Sequence, residues 1–440
     1  MRVSRRSAIA AAVGLLACLP TGSRKARART LMAGPQDYLQ LLGRLAPGDE
    51  LRLAPGVYRG GLGLQGLRGT ADGPIVISGP ADRSAQFLGR PGHNTVELRD
   101  VSYLEIRNLT LDGRNIPGVD GVKSQAATHH ITLENLAILN HAGHQQTVGI
   151  STKAPAWNWV IRDTVIRGAG TGLYLGNSDG SAPFVHGLIE RTLVLDTIGY
   201  GLQIKHQGAR PEVAGLPTEP GSTVIRHNII SKARQPEAGF QGPRPNLLVG
   251  HFPTLGPGLE DRYEIYGNLL YQNLVNEPLF QGEGNIAFHD NLLVNHHGDG
   301  IWIRPHNDRP RRVTVFHNTI VAMGTGIAVS GGLPEFRQTV ARNAVFAQRP
   351  IEGGEQEDNL TAGYAAAGEH LRTPFGGWRT LDLRPRPGRL QSSVAEAAGD
   401  TLTDAAGRDF AGTLRPGGYL GAYAGPDTPR EGPLHFPPTL

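Results

Sequence analysis

The sequence predicts an all-β, single-domain parallel β-helix, a solenoid of short strands with a small helix capping its N-terminal end. Three observations support this prediction: the composition, a recurring asparagine and a recurring outward strand. The chain of 440 residues contains 60 Gly and 32 Pro. Both residues interrupt helices, so short strands joined by turns are favoured. Because a solenoid grows along one axis, this length does not require several domains.

An asparagine recurs at a similar place after short apolar stretches. Its positions are Asn108, Asn135, Asn268, Asn291, Asn318 and Asn343, with Asp163, Arg191 and Asn228 at similar places between them. A repeat of roughly 25 residues is typical of a parallel β-helix, whose coils pair with the coils before and after. We expect the amides to stack as an inward ladder. A Greek-key sandwich is the alternative, but it would not keep one residue at one phase for so long.

Residues 1–28 predict an export signal. They combine a basic start, an apolar run from Ala8 to Leu19 that is too short to span a bilayer, and Ala26-Arg27-Ala28 as a cleavage site. Ser4-Arg5-Arg6-Ser7 resembles a twin-arginine signal; a general secretory signal or a lipoprotein signal at Cys18 are the alternatives. We therefore expect a periplasmic or secreted protein. Its mature form would lack cysteine and hence disulfides and thiol catalysis.

The formal charge of +4 arises in this leader, which carries basic residues and no acid. Without residues 1–28 the chain is slightly acidic, and it shows no nucleic-acid-binding motif. We expect no nucleic-acid partner, no membrane span and a monomer.

The first coils resemble a known superfamily. Residues 35–45 form an amphipathic segment suited to cap the edge of the first coil. Gly48–Tyr58, with its Gly-Asp and Gly-x-Tyr elements, and Gly69–Ile77, with Gly-Thr and Pro-Ile-x-Ile, resemble the pectate-lyase-like right-handed parallel β-helix superfamily. Within it, the chondroitinase B and alginate lyase family is the most similar. The resemblance implies a right-handed coil, divided here into a cap and first coil (29–60), further coils (61–350) and an irregular last coil with a tail (351–440).

A second strand, usually opening with glycine, recurs in each coil and should place one side chain per coil on a shared outer surface, because strand residues alternate faces and coils stack about 4.8 Å apart. We name this surface the outward strip. Its candidate catalytic residues are Lys205, His206, Arg304 and His306. Its candidate substrate-binding residues are Lys123, Lys153, Tyr174, Asn177, His251, Phe280, Glu283, Trp302 and Asp308. The alternative is that these are ordinary solvated sheet and turn residues.

These residue types suit an anionic polysaccharide. Aromatic faces cover sugar rings, while cations neutralise uronate carboxylates. β-Elimination needs a neutralised carboxylate, a base for the C5 proton and a proton donor for the leaving oxygen. Arg304 or Lys153 could neutralise the carboxylate, and Lys205 or His206 could act as the base. A neighbouring His or Tyr could donate the proton to the leaving oxygen.

The predicted function is therefore an exported polysaccharide lyase. The alternatives are a uronate C5-epimerase, a glycoside hydrolase using Glu283 with Asp308, and a non-catalytic polysaccharide-binding protein of the cell envelope. The family resemblance implies a Lys base near an Arg, and Ca²⁺ bound to the substrate carboxylate; the residues themselves predict no cofactor.

Overall fold

The computed structural model describes residues 28–234, 244–275, 277–392, 407–415 and 417–431. The predicted export signal lies outside this part of the chain, except for Ala28. No helix in the described ranges is long and apolar enough to cross a membrane.

The described chain winds into coils whose strands form three parallel ladders, each coil pairing with the next. The first ladder contains Thr30–Ala33, Glu50–Leu53, Ile75–Ser78, Val101–Arg107, Thr128–Glu134, Val160–Arg162, Leu188–Glu190, Ser222–Arg226, Arg262–Tyr266, Ile286–His289, Val313–Phe316, Gln338–Ala341 and Glu355–Glu357, with Ala156–Trp157 and Phe184–Val185 at its side. The prediction of a parallel β-helix is confirmed.

The second and third ladders follow in each coil and share one sheet. The second contains Gly56–Tyr58, Ala85–Leu88, Leu109–Asp112, Ala137–His141, Val165–Ala169, Leu193–Leu195, Ile229–Lys232, Leu269–Asn273, Leu292–Asn295, Leu360–Ala362 and the first parts of Thr319–Val329 and Ala344–Glu352. The third contains Leu62–Gln65, Val96–Arg99, Val122–Ser124, Val148–Thr152, Thr171–Leu175, Leu202–Ile204, Leu247–Val249, Phe280–Gly282, Ile301–Ile303 and the ends of the same two long strands.

The predicted capping helix is present as Tyr38–Leu42. Its buried Tyr38 hydroxyl donates to the carbonyl of Gly61 at 2.7 Å, and its ring meets Tyr58 edge-on at 5.1 Å. The helix therefore closes the apolar interior of the first coils. Other short elements follow the last coils: a 3-10 turn Tyr364–Ala366, a helix Ala367–His370 and an antiparallel pair Leu371–Thr373 with Asp382–Pro385.

Inward residues of successive coils stack directly on one another in the core. In the third ladder, Val122, Ile150, Leu173 and Leu202 are in register, and each is completely buried. Glycines precede these residues because the coils come very close there: a Cβ on Gly172 would lie 2.3 Å from the carbonyl oxygen of Gly201. Close packing thus explains the glycine that marks this strand in the sequence.

The asparagine ladder is confirmed in the later coils. Each side-chain amide donates to the carbonyl oxygen of the next asparagine side chain at 2.9–3.1 Å. The members are Asn228, Asn268, Asn291, Asn318, Asn343 and Asn359. The assignment of Asn108 and Asn135 to this ladder is wrong: both have left-handed backbones, one residue earlier in the turn, and bond separately to each other at 2.8 Å.

The C-terminal residues cover the outer face of the second ladder. Leu371, Leu383, Phe410 and Tyr423 form one buried apolar cluster with the outward residues of this ladder. Those outward residues are Val165, Leu193, Ile229, Leu269, Tyr271, Leu292, Val294, Val321 and Phe346. The described residues beyond the last coil, within 363–392, 407–415 and 417–431, thus pack as a lid over one face of the solenoid.

Candidate active site on the third ladder

The third ladder places most of the predicted residues on one outer surface. Its pairing aligns one outward row across the coils: Glu97, Lys123, Ser151, Tyr174, Gln203, Leu248, Gln281, Trp302 and Ala328. A second row lies just beyond the strand ends, where backbone hydrogen bonds continue the register through Lys153, Lys205, Glu283 and Arg304. The outward strip is therefore a continuous surface.

Tyr174 lies between Lys153 of the preceding coil and Lys205 of the following coil. The Nζ of Lys153 is 3.3 Å from the centroid of the tyrosine ring and that of Lys205 is 5.9 Å away. Burial lowers the pKa of Lys153 to about 8 and also lowers the pKa of Lys205. Burial raises the pKa of Tyr174. The site therefore combines two lysines whose pKa values lie below the ordinary lysine value with a phenol whose pKa lies above the ordinary tyrosine value.

Glu283 is held by the backbone of the next coil. Its Oε2 accepts hydrogen bonds from the amides of His306, Asn307 and Asp308 at 2.8–3.1 Å, and the residue is 2% exposed. Its negative charge opposes the lowering of the Lys205 pKa. Glu283 is thus an anchored charge that acts electrostatically on Lys205 and fixes the loop after Arg304.

Two histidines stack beside this carboxylate. The rings of His206 and His251 are 5.3 Å apart with a 29° tilt, and the Nδ1 of His251 lies 2.8 Å from the carbonyl of Phe252. Burial lowers the pKa of His206, with further lowering from His251 and Lys205. His206 is therefore neutral near pH 7, whereas His306 is exposed on the loop above Glu283.

Trp302 and Arg304 form the next part of the surface. The Arg304 guanidinium carbon lies 3.8 Å from the centroid of the Trp302 ring, and Arg304 is exposed. A flat cation resting on a flat ring presents a wall that can bind a sugar carboxylate and a sugar face together.

The remaining predicted residues have local partners. Lys123 pairs with Asp120 at 3.3 Å. The Nδ2 of Asn177 donates to Ser181 at 3.3 Å within a turn at the edge of the strip. Asp308 lies 3.5 Å from Arg311.

The prediction that Phe280 faces outward is wrong. Its side chain is completely buried and stacks on Phe288 at 4.4 Å between ring centroids. The strand pairing aligns Leu279 with Gly300 of the next coil, the residue before the first inward position. The sequence-based placement of Leu279 at the first inward position is therefore shifted by one residue. Gln281 takes the outward position instead.

Sequence reasoning missed a rim of polar groups at the turn before the third ladder. Burial raises the pKa of Glu277, against the lowering effect of Arg304, Lys232 and Arg244. Lys232 is buried, donates to the carbonyl of Arg244 at 2.7 Å, and has its pKa lowered to about 7 by burial. The one sequence signal for this rim was Lys232, a lysine that ends an apolar strand away from the outward strip.

The carboxylates present do not fit a calcium site. Ca²⁺ takes six to eight oxygen ligands, several of them carboxylates, and no three acidic, histidine or cysteine residues of the described ranges cluster around a common point. The Oε2 of Glu283 already accepts three amides. The Ca²⁺ implied by the family resemblance therefore has no ligand set among these residues.

The comparisons with known proteins identify the architecture. No family model matches the sequence, and no curated protein does. Among solved structures, the pectate lyase Pel9A aligns over 90% of this chain and 96% of its own, with 11% identity and a TM-score of 0.53. The fold is a right-handed parallel β-helix.

Two further structures are similar over smaller shares. An alginate lyase from Paenibacillus sp. str. FPU-7 covers 64% of this chain and 97% of its own, at 15% identity and a TM-score of 0.38. The catalytic unit of an α-1,3-glucanase from Streptomyces thermodiastaticus covers 85% of this chain and 73% of its own, at 13% identity and a TM-score of 0.49. Both TM-scores lie below 0.5, so the fold rests on the strand pairing and on the alignment with the pectate lyase.

Proposed function

We propose that this β-helix protein is a lyase that cleaves a uronate-containing polysaccharide by β-elimination. The observation that carries the proposal is the pair of half-buried lysines with lowered pKa values, Lys153 and Lys205, on the two coils that flank the coil of Tyr174. A lysine whose pKa is lowered by burial is the form of this side chain that acts as a base near neutral pH.

Lys205 is the base in this proposal. Its neutral amine takes the proton from C5 of the uronate. The electron pair left on C5 forms the C4–C5 double bond as the bond from C4 to the leaving oxygen breaks. The amine becomes an ammonium, which the anchored carboxylate of Glu283 stabilises.

Residues near Lys205 neutralise the carboxylate and protonate the leaving oxygen. Arg304, exposed on Trp302, and Lys153, when protonated, neutralise the uronate carboxylate and so make the C5 proton more acidic. Tyr174 keeps its hydroxyl proton because its pKa is raised, and it donates that proton to the leaving oxygen. The Arg304 guanidinium, which rests on the Trp302 ring, offers its outer face to a neighbouring sugar.

The contacts disfavour hydrolysis by the Glu283 and Asp308 pair. A hydrolase needs one carboxyl group to donate a proton and another to attack or to activate water. Glu283 is instead buried under three amide donors, and Asp308 faces Arg311. Export to the periplasm or beyond, guided by residues 1–28, also remains part of the proposal, because a polysaccharide substrate is found there.

The experiment is a panel of polyuronates and glycosaminoglycans incubated with the purified protein, with and without a calcium chelator. A lyase produces a conjugated double bond that absorbs in the ultraviolet, and Lys205→Ala should reduce this rate at least ~10²-fold. Arg337→Ala, which removes an exposed cation paired with Glu355 on the first ladder, is the control and should keep most of the rate.

Other outcomes reject the lyase. New reducing ends without ultraviolet absorbance would indicate hydrolysis, and deuterium entering C5 without chain cleavage would indicate epimerisation. Retarded migration in a polysaccharide gel without any product would indicate binding alone. A near-native rate for Lys205→Ala would reject its role as the base.

A further inference from the structure

A separate cavity lies where the C-terminal lid meets the second ladder. It has a volume of about 380 Å³. The coils contribute Arg167, Asp196 and Ser231 to its wall, and Arg234 follows just after a strand. The lid contributes Trp378 and Arg379. The lid is tied down beside the cavity, where the Tyr271 hydroxyl donates to the carbonyl of Gly376 at 3.1 Å.

The wall of this cavity is strongly cationic. Three arginines face one carboxylate, that of Asp196, whose Oδ2 lies 3.6 Å from the Nε of Arg167. Arg167 and Arg234 both act electrostatically on Asp196. With two positive charges in excess among these groups, the cavity favours an anion, and guanidinium forks match the geometry of a carboxylate.

The cavity also contains a flat surface beside its cations. The guanidinium carbon of Arg379 lies 4.5 Å from the centroid of the Trp378 ring, and Ser231 supplies a hydroxyl on the opposite wall. The volume exceeds the ~30 Å³ of a water molecule more than tenfold and falls in the range of small-molecule pockets. A ring with hydroxyls and a carboxylate uses all three features, whereas a small inorganic anion uses only the cations.

We infer that this cavity is a second binding site that takes an acidic sugar, such as one uronate residue or a short uronate oligomer. The site lies on the second ladder and the outward strip on the third, so it does not depend on the proposed reaction. Because Trp378 and Arg379 come from the lid, the site exists only when the lid is packed on the coils.

The test is a fluorescence titration of the Trp302→Phe variant with galacturonate and mannuronate oligomers. This variant removes the tryptophan of the outward strip. Of the other three, Trp157 and Trp159 are buried, which leaves Trp378 as the reporter at the cavity. We expect a saturable change in emission, at least ~10-fold weaker in affinity when Arg234→Ala and Arg379→Ala are combined.

Two matched variants sharpen the result. Arg68→Ala with Arg337→Ala removes two exposed arginines elsewhere and should leave the titration unchanged. Asp196→Asn removes the one carboxylate, keeps the left-handed backbone accessible and should strengthen binding. Thermal melts of all variants verify folding.

The inference is overturned if the Arg234/Arg379 double variant, folded as judged by its melt, titrates like the Arg68/Arg337 control. It is also overturned if inorganic sulfate reproduces the emission change at equal concentration, because the cavity would then select a charge and not a sugar. Neither outcome bears on the lyase, whose activity is read from product formation at the outward strip.

Discussion

The outer faces of the second and third ladders are built on the same strand backbone, but the lid buries one face while the other stays partly exposed. On the second ladder, outward positions hold apolar residues such as Val294 and Phe346, which the C-terminal lid buries. On the third ladder, the equivalent positions hold Lys123, Tyr174 and Trp302, which are only partly buried. Each coil therefore contributes to two outer faces, and the polarity of its outward residues determines which face the lid covers.

Because of this difference, the second-ladder face contributes mainly to the stability of the fold and the third-ladder face to the proposed reaction. Buried apolar area on the second ladder stabilises the fold, while the third ladder holds charged groups at a half-buried surface, where desolvation lowers lysine pKa values. A side chain on the second-ladder face should thus affect folding first, and one on the third-ladder face should affect catalysis first.

The largest expected effect is on the second-ladder face. Phe346→Ala should destabilise the protein by about 3–5 kcal/mol, because a fully buried ring leaves a cavity under the lid. Trp302→Ala, an aromatic truncation on the third-ladder face, should cost about 1 kcal/mol or less while weakening substrate binding. Denaturant unfolding of both variants measures the contrast; equal losses would mean that the third-ladder face is also a folding interface.

The next effect concerns the charge and the basicity of Lys205. Lys205→Arg keeps a cation but cannot supply a neutral base, because the guanidinium does not lose its proton in proteins. We expect kcat to fall at least ~10²-fold while KM stays close to its original value. Initial rates of the ultraviolet assay over a range of substrate concentrations separate the two constants. A large rise in KM with kcat preserved would assign Lys205 to binding only.

A smaller effect is expected from Lys232, which lies between the two faces. Its pKa of about 7 in the folded protein is below the 10.5 of a free lysine, so the unfolded chain binds more protons between these values and stability rises with pH there. Lys232→Met should remove up to about 1.4 kcal/mol per pH unit of that rise. Unfolding at pH 8 and pH 9 measures the rise over one pH unit, and Lys123→Met is the control that should retain it.

Periodic positions were predictable from the sequence, and positions set by long-range packing were not. Glycine at the close approach of coils and asparagine at the turn mark the repeat, so the outward strip from Lys123 to Arg304 could be traced. Phe280 was misplaced because its coil lacks that glycine. Asn108 and Asn135 were misplaced because a left-handed turn residue one position earlier also favours asparagine.

The lid and the rim groups left no periodic signal. Tyr423 and Trp378 lie in segments without a repeat, and the lid is joined to the coils by contacts between residues far apart in the chain, such as Ala422 with Thr319. Glu277 and Lys232 acquire their altered pKa values only through burial in the folded structure. No local sequence pattern encodes such surroundings, because they arise only when distant parts of the chain pack together.

The most direct measurement is a crystal structure of the Lys205→Ala protein soaked with an oligomer of the uronate that the native protein cleaves. We predict sugar rings across Tyr174 and Trp302, with a carboxylate at Arg304 or Lys153 and a C5 carbon facing the position vacated by the Lys205 amine. An oligomer bound along the first ladder, or one found solely in the cavity under the lid, would contradict the account.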